Sequence, residues 1–253
     1  MNGVIVVRVS RWIPWLRLGL MSALLLVSLS GGNVQAGNSL VAIDVGHTAQ
    51  RPGAISARGE PEYQFNTALA QVVRRQLEAG GVPTLLLQEE AGQGMTLPAR
   101  ASLAAARQAG LLLSIHHDSV QPHYLRSWQW QGSEQHYADR FSGFSLFVSR
   151  LNRQLATSLH CASRIGEALR AAGLQPTSHH AEAIAGENRP WADAANGVYY
   201  FDDLLLLKSA QMPAVLLEAG VIVHRQEELL LRDAERQKQV AEAVLHGVQR
   251  CLE

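Results

Sequence analysis

The 253-residue sequence has only two cysteines, Cys161 and Cys251, and neither belongs to a C-x-x-C pair. That excludes a zinc ribbon. Nor is there an excess of basic residues, since 22 Lys and Arg stand against 22 Asp and Glu. A nucleic-acid partner calls for a basic face, so none is expected. Internal repeats, low-complexity runs and a second long apolar span are also missing. Their absence excludes a solenoid and a multi-pass membrane protein.

One apolar run does stand at the start. Residues 1–36 have the three parts of a secretory signal. Arg8, Arg11 and Arg17 form a basic region without acids, Leu18 to Leu29 is too short for a comfortable membrane span, and Val34-Gln35-Ala36 offers small residues before a cut ahead of Gly37. The mature chain, 37–253, is expected to be exported to the periplasm or cell envelope, with no stable membrane span; a retained anchor is the alternative. Losing three arginines leaves acidic residues in slight excess. The remaining length suits one domain with a substantial core. In an oxidising compartment Cys161 and Cys251 can pair, tying the last helix to the one that begins near Leu155. Two buried free thiols in separate helices would give the same sequence.

Strand and helix alternate along the mature chain, which predicts an α/β fold: a single domain, mostly parallel and twisted, with helices on both faces. Val41 to Val45 reads as a buried strand, with Gly46 letting the backbone turn ahead of His47. Pro61 opens a helix in which Phe65, Leu69, Val72, Val73 and Leu77 recur at helical spacing. A strand over Val82 to Leu87 and an Ala-rich helix over Leu97 to Ala109 follow. Leu111 to Ile115 is the next strand, ending in His116-His117-Asp118. Residues 121–141 read as a long loop rich in Trp and Tyr. Gly143 to Val148 returns to strand, Leu155 to Ala172 is helical, and residues 175–197 are irregular. Ala214 to Leu217 is a last strand presenting Glu218, before a single helix from about Gln226 to Cys251.

In open α/β sheets, ligands gather beyond the carboxyl ends of the strands. His47, His116 and Glu218 each leave a strand there, and the helix carrying Glu62 starts on the same rim. Two imidazoles and one carboxylate are a ligand set of hydrolytic zinc sites, which keep a fourth position for water. Drawn from His47, Glu62 and His116, such a set for Zn2+ would leave Glu218 free as general base and acid, although Glu62 on its own also reads as an acid favoured at a helix start. Glu60 is the rival to Glu62. His117 is expected to point away from the metal, because neighbours on a strand face opposite sides. His123, His136, His160, His224 and His246 read as surface or packing residues. Asp44 is open between a partner that orients a ligand imidazole and a strand-end cap.

Four segments, Ile43-Asp44-Val45-Gly46-His47, Glu62, Ser114-Ile115-His116-His117-Asp118 and Pro213-Ala214-Val215-Leu216-Leu217-Glu218, occur in the order I-D-x-G-H, Glu, S-I-H-x-[ND], P-A-V-L-x-E. In this the chain resembles the zinc-dependent N-acetylmuramoyl-L-alanine amidases of the amidase family 3 type, over nearly all of the mature chain. The resemblance implies zinc bound by His47, Glu62 and His116, with Glu218 catalytic. It implies that a zinc-bound water attacks the amide between N-acetylmuramic acid and the L-alanine of the peptidoglycan stem. It also matches Arg100 to an arginine usual for structure in the helix before the second histidine strand. Two departures reshape the surroundings. Glu218-Ala219-Gly220-Val221-Ile222-Val223-His224 replaces E-x-G-F-x-[ST]-N, altering the wall beside the acid, and Tyr63 replaces a usual Lys.

Some members of that family carry a helix that covers the zinc until an activator protein binds. By that likeness Ala181 to Trp191, within 177–196, is either a lid with His180, Glu182 or Glu187 near the metal, or an ordinary solvated loop. The Trp and Tyr residues of 121–141 either stack on sugar rings or fill a local apolar patch. Two other functions compete: a zinc peptidase of carboxypeptidase type acting on wall peptides, and a non-catalytic wall-binding regulator.

Overall fold

Alternation along the strands decides which layer each side chain joins. In strand β1 (Val41–Val45), Val41, Ile43 and Val45 face one core and Ala42 the other. Strand β3 (Leu111–Asp118) repeats this, with Leu111, Leu113 and Ile115 opposed to Leu112. The first core is closed by helices α1 (Glu62–Ala79), α3 (Leu155–Ala171) and α6 (Ala234–Leu252), the second by α2 (Leu97–Ala106) and α4 (Leu205–Ser209). Helices thus cover both faces, as expected. The computed structural model describes residues 1–4, 39–88 and 94–253. The chain divides after residue 34, and every element named here lies in the unit of residues 35–253. The expected signal and its cut lie outside the described residues, apart from residues 1–4.

Seven strands form the sheet, in the order β2 (Thr84–Leu86), β1, β3, β9 (Ala214–Val221), β6 (Ser145–Val148), β8 (Val198–Tyr200), β7 (Trp191–Asp193). The first four are mutually parallel. β6 runs antiparallel to β9, and β7 antiparallel to β8. The sheet is therefore mixed, with its parallel half holding β1, β3 and β9.

Two sequence expectations change here. Residues 121–141 are not an irregular loop throughout: Arg126–Trp130 (β4) and Ser133–Tyr137 (β5) pair as an antiparallel hairpin. Gln131 and Gly132 turn it at φ 49° and 80°, the left-handed pair that a two-residue hairpin loop requires. The closing helix is also two helices, α5 (Glu227–Arg232) and α6. The chain breaks at Asp233, whose carboxylate accepts from Arg236 N at 2.9 Å and caps α6.

Helices α3 and α6 approach closely because Gly247 has no side chain: a Cβ there would lie 2.5 Å from Ile165 Cα. Cys161 and Cys251 are disulfide-bonded across this contact, with Cα atoms 4.7 Å apart, so the open question about the two thiols resolves to a cross-link. The bond spans 90 residues, and its main effect is to restrict the unfolded chain. Reduction, or Cys251→Ser, is expected to lower stability by about 3 kcal/mol. The urea midpoint of oxidised and reduced protein measures this, and equal midpoints would refute it.

Candidate functional site

Strand β1 delivers His47 through a two-residue turn. Gly46 N still donates to Ile115 O at 2.9 Å, and the next residue, His47, adopts φ 68°. The left-handed residue is thus the histidine itself. Gly46 is needed for another reason than the expected turn, since a Cβ on it would lie 2.4 Å from the His116 ring. Glu62 opens α1, where a carboxylate suits the helix dipole. Its Oε2 accepts from Ala54 N at 3.1 Å and its Oε1 from Asn66 Nδ2 at 3.0 Å. Glu60 instead pairs with Arg232.

The three sequence-predicted ligands come together. His47 Nε2 lies 3.0 Å from Glu62 Oε2, and His116 Nδ1 lies 3.1 Å from Glu62 Oε1. One donor atom from each lies within 4.8 Å of the others, which makes the trio a candidate metal-binding group. The donor set fits a borderline metal: two imidazoles and one carboxylate, with His47 a third exposed to solvent. Burial works against ionisation of Glu62. Hydrogen bonds and charge from His116 and His47 outweigh it and hold the carboxyl well below the usual range.

Glu218 lies directly across the sheet from His116 in the β3–β9 register. It is half-buried, and its Oε2 is enclosed without a hydrogen-bond partner. Burial raises its carboxyl well above the ordinary value, and the Asp118 and Glu62 carboxylates add to that. The altered segment after it packs into neighbouring apolar clusters. Val221 and Val223 pack with Val120 and Ala138, Ile222 packs with Phe65 and Leu231, and His224 Nδ1 accepts from Gln226 N and Glu227 N at the start of α5. Tyr63 packs against the main core.

Asp44 takes neither of the roles considered for it. It is fully buried, accepting from Arg100 Nη1 at 2.9 Å and from Ser114 Oγ at 2.6 Å. The same guanidinium donates to Val45 O and His47 O, each at 2.9 Å. Arg100 thereby holds the backbone of the His47 turn. His117 points away from the trio, as expected: it is buried, its Nδ1 is 2.8 Å from Asn66 Oδ1, and its ring packs on Phe65.

Sequence reasoning missed a second buried cluster, Asp118 with His179 and His180. His180 Nε2 lies 2.7 Å from Asp118 Oδ2, and His180 Nδ1 lies 2.8 Å from Glu187 Oε2. Burial disfavours charge on His180, but Asp118 and Glu187 overcome it and push the imidazole up to about 9. Glu187 also pairs with Arg189 and accepts from Gln121, while Glu182 takes Tyr124 Oη and Arg140. Among the described residues, no hydrogen bond or ion pair links His180, Glu182 or Glu187 to the trio; His180 instead meets Asp118, two residues beyond His116. Within the segment Thr177, His179 and His180 are buried, while residues 181–191 are exposed or half-buried. The signal available in the sequence was a His-His pair together with an aspartate ending a histidine-bearing strand.

Fold and site define an α/β protein whose strand-end rim carries a candidate metal centre. The sequence profile of the N-acetylmuramoyl-L-alanine amidase family (amidase family 3) matches residues 41–250, and the chain belongs to that family. N-acetylmuramoyl-L-alanine amidase AmiC of Neisseria meningitidis is 24% identical over 228 residues, covering 84% of this chain and 52% of that protein. The chain thus spans about half the length of that relative. The crystal structure of the amidase Ami1 of Mycobacterium smegmatis matches with a TM-score of 0.67 at 22% identity, over 86% of this chain and 98% of that one. The CwlD amidase of Clostridioides difficile, solved in complex with the GerS lipoprotein, matches at 0.62 and 22%, over 85% and 98%. At these identities the structural likeness shows the fold.

Two outcomes test the supports of the site. Arg100→Met leaves Asp44 buried without its cation and is expected to cost about 3–5 kcal/mol, read from the urea midpoint. Burial lowers His117 to about 3, with Glu62 and Asp118 opposing and His116 adding to the shift. The unfolded chain takes up that proton below about 6.5, the folded one only near 3, so acid favours unfolding in between. Stability is expected to fall by about 1.4 kcal/mol per pH unit below 6.5 from this group. His117→Gln should flatten that limb; an unchanged acid profile would contradict the assignment.

Proposed function

We propose that the chain is a zinc-dependent peptidoglycan amidase cleaving the bond between N-acetylmuramic acid and L-alanine. Zinc would be held by His47, Glu62 and His116, with Glu218 as general base and acid. The family supports the substrate, and the donor set supports the metal. The observation that carries the reading is the register pairing of His116 with Glu218, which brings an unpartnered carboxylate oxygen beside the trio.

When bound, zinc supplies a Lewis acid that polarises a carbonyl and lowers the pKa of water. The chain's own residues do the rest. Ala54 N and Asn66 Nδ2 orient the Glu62 carboxylate, and Arg100 fixes the His47 backbone. Glu218 Oε2 takes the proton of the attacking water and returns it to the leaving amine. A carboxyl with raised proton affinity suits both transfers.

The same reading makes residues 1–36 an export signal, 37–253 the catalytic domain and the envelope its site of action. Among the described residues, no helix is long and apolar enough to cross a membrane. An activator protein is part of the proposal too; the CwlD amidase was solved with the GerS lipoprotein, which gives a partner a precedent.

Purified protein incubated with sacculi is the test. Chelator should abolish cleavage, Glu218→Gln should reduce it about 10²–10⁴-fold, and digestion should free the amino group of L-alanine. Release of terminal amino acids would favour the carboxypeptidase alternative. Chelator-resistant cleavage or a fully active Glu218→Gln protein would defeat the mechanism.

A further inference from the structure

We propose that Asp118, His179 and His180 form a second divalent-cation site, suited to zinc or a similar transition metal and separate from the His47–Glu62–His116 trio. Asp118 ends β3, two residues beyond His116, after a register shift against β9. The two histidines come from a short turn after α3, His179–Ala181. That segment is fastened beside the sheet by Thr177 N donating to Phe144 O at 2.8 Å. All three side chains are buried, and their donor atoms lie within 4.8 Å of one another.

Both rings turn the same nitrogen inward. His180 Nε2 is 2.7 Å and His179 Nε2 is 3.3 Å from one oxygen, Asp118 Oδ2. Each Nδ1 is engaged from behind, His180 by Glu187 Oε2 and His179 by Thr177 Oγ1, both at 2.8 Å. An imidazole whose outer nitrogen donates to a carboxylate or hydroxyl presents its inner lone pair for ligation, and metal-bound histidines are usually held this way. Glu187 is itself braced by Gln121 Nε2 at 2.7 Å and by Arg189.

A proton on His180 accounts for its 2.7 Å contact with Asp118, and leaves the longer His179 contact poorly aligned. His179 Nε2, 3.3 Å from the same oxygen, then stays buried without a well-formed hydrogen bond, and a poorly satisfied buried polar atom is costly. One cation among the three donors satisfies both nitrogens and the carboxylate together. Asp118 and two imidazoles repeat the donor set of the trio, where His47 and His116 face the two oxygens of Glu62 at 3.0 and 3.1 Å. Phe141 and Phe147 pack on the two rings, with centroids 5.0 and 4.9 Å away, and give the cluster an apolar surround.

The test is a zinc titration of demetallated, tag-free protein by calorimetry, repeated with cobalt and followed by absorption. Wild-type protein is expected to bind two equivalents. His179→Ala and Asp118→Asn should each remove one, and His116→Ala should remove the other. Circular dichroism of each variant reports whether it folds, and having two independent variants at the cluster, His179→Ala and Asp118→Asn, keeps the test decisive where one of them does not. A single equivalent lost in His116→Ala and kept in His179→Ala would overturn the second site and leave the amidase reading standing. A single equivalent with the reverse pattern would sink the trio as a metal site and leave this proposal intact. Two equivalents insensitive to both His179→Ala and Asp118→Asn would also overturn it.

Discussion

The buried pair between Asp44 and Arg100 is the constraint on which the rim depends. A buried ion pair is weak evidence of net stabilisation, because desolvating two charges offsets much of their attraction. Its effect here is positional. β1 stops at Val45, and the carbonyls of Val45 and His47 then need donors that the ladder no longer supplies. A guanidinium carries several donors in a fixed plane, and Arg100 engages Asp44 and both carbonyls at once. The turn that carries His47 is thereby fixed from the α2 side, while Glu62 approaches from the α1 side.

The remaining geometry follows from strand pairing. The β1–β3 and β3–β9 registers set Val45 against Ile115 and His116 against Glu218. Residues far apart in sequence thus share one rim with little help from loops. The exception is His179 and His180, which reach Asp118 from a connecting segment and owe their position to Thr177, Glu187 and Phe144.

Much of this was legible in the sequence where the pattern was local. The runs around Val41, Leu111 and Val215 are buried on both faces and read as strands directly, and each ends on its polar residue. His47, His116 and Glu218 were therefore legible in the sequence, and Glu62 only through its place at the start of the following helix. The hairpin was not, because Trp128, Gln129 and Trp130 alternate over too few residues to stand out among other aromatics. The break at Asp233 was masked by continuous helical periodicity on either side. Asp44 reads as part of a motif, but its partner Arg100 sits 56 residues away, and such pairing has no local signature. The same holds for Asp118 and His180, separated by 62.

His47 holds a backbone conformation that disfavours any side chain, by about 1–2 kcal/mol. Glycine would relax the turn at once, yet it would remove the imidazole for which the turn exists. Position 47 is therefore one where a more relaxed backbone and a side chain on the rim pull apart, since relieving the torsion with glycine costs the imidazole beside Glu62 and His116. The strained torsion sits at the mouth of the rim, next to the carbonyl that Arg100 restrains.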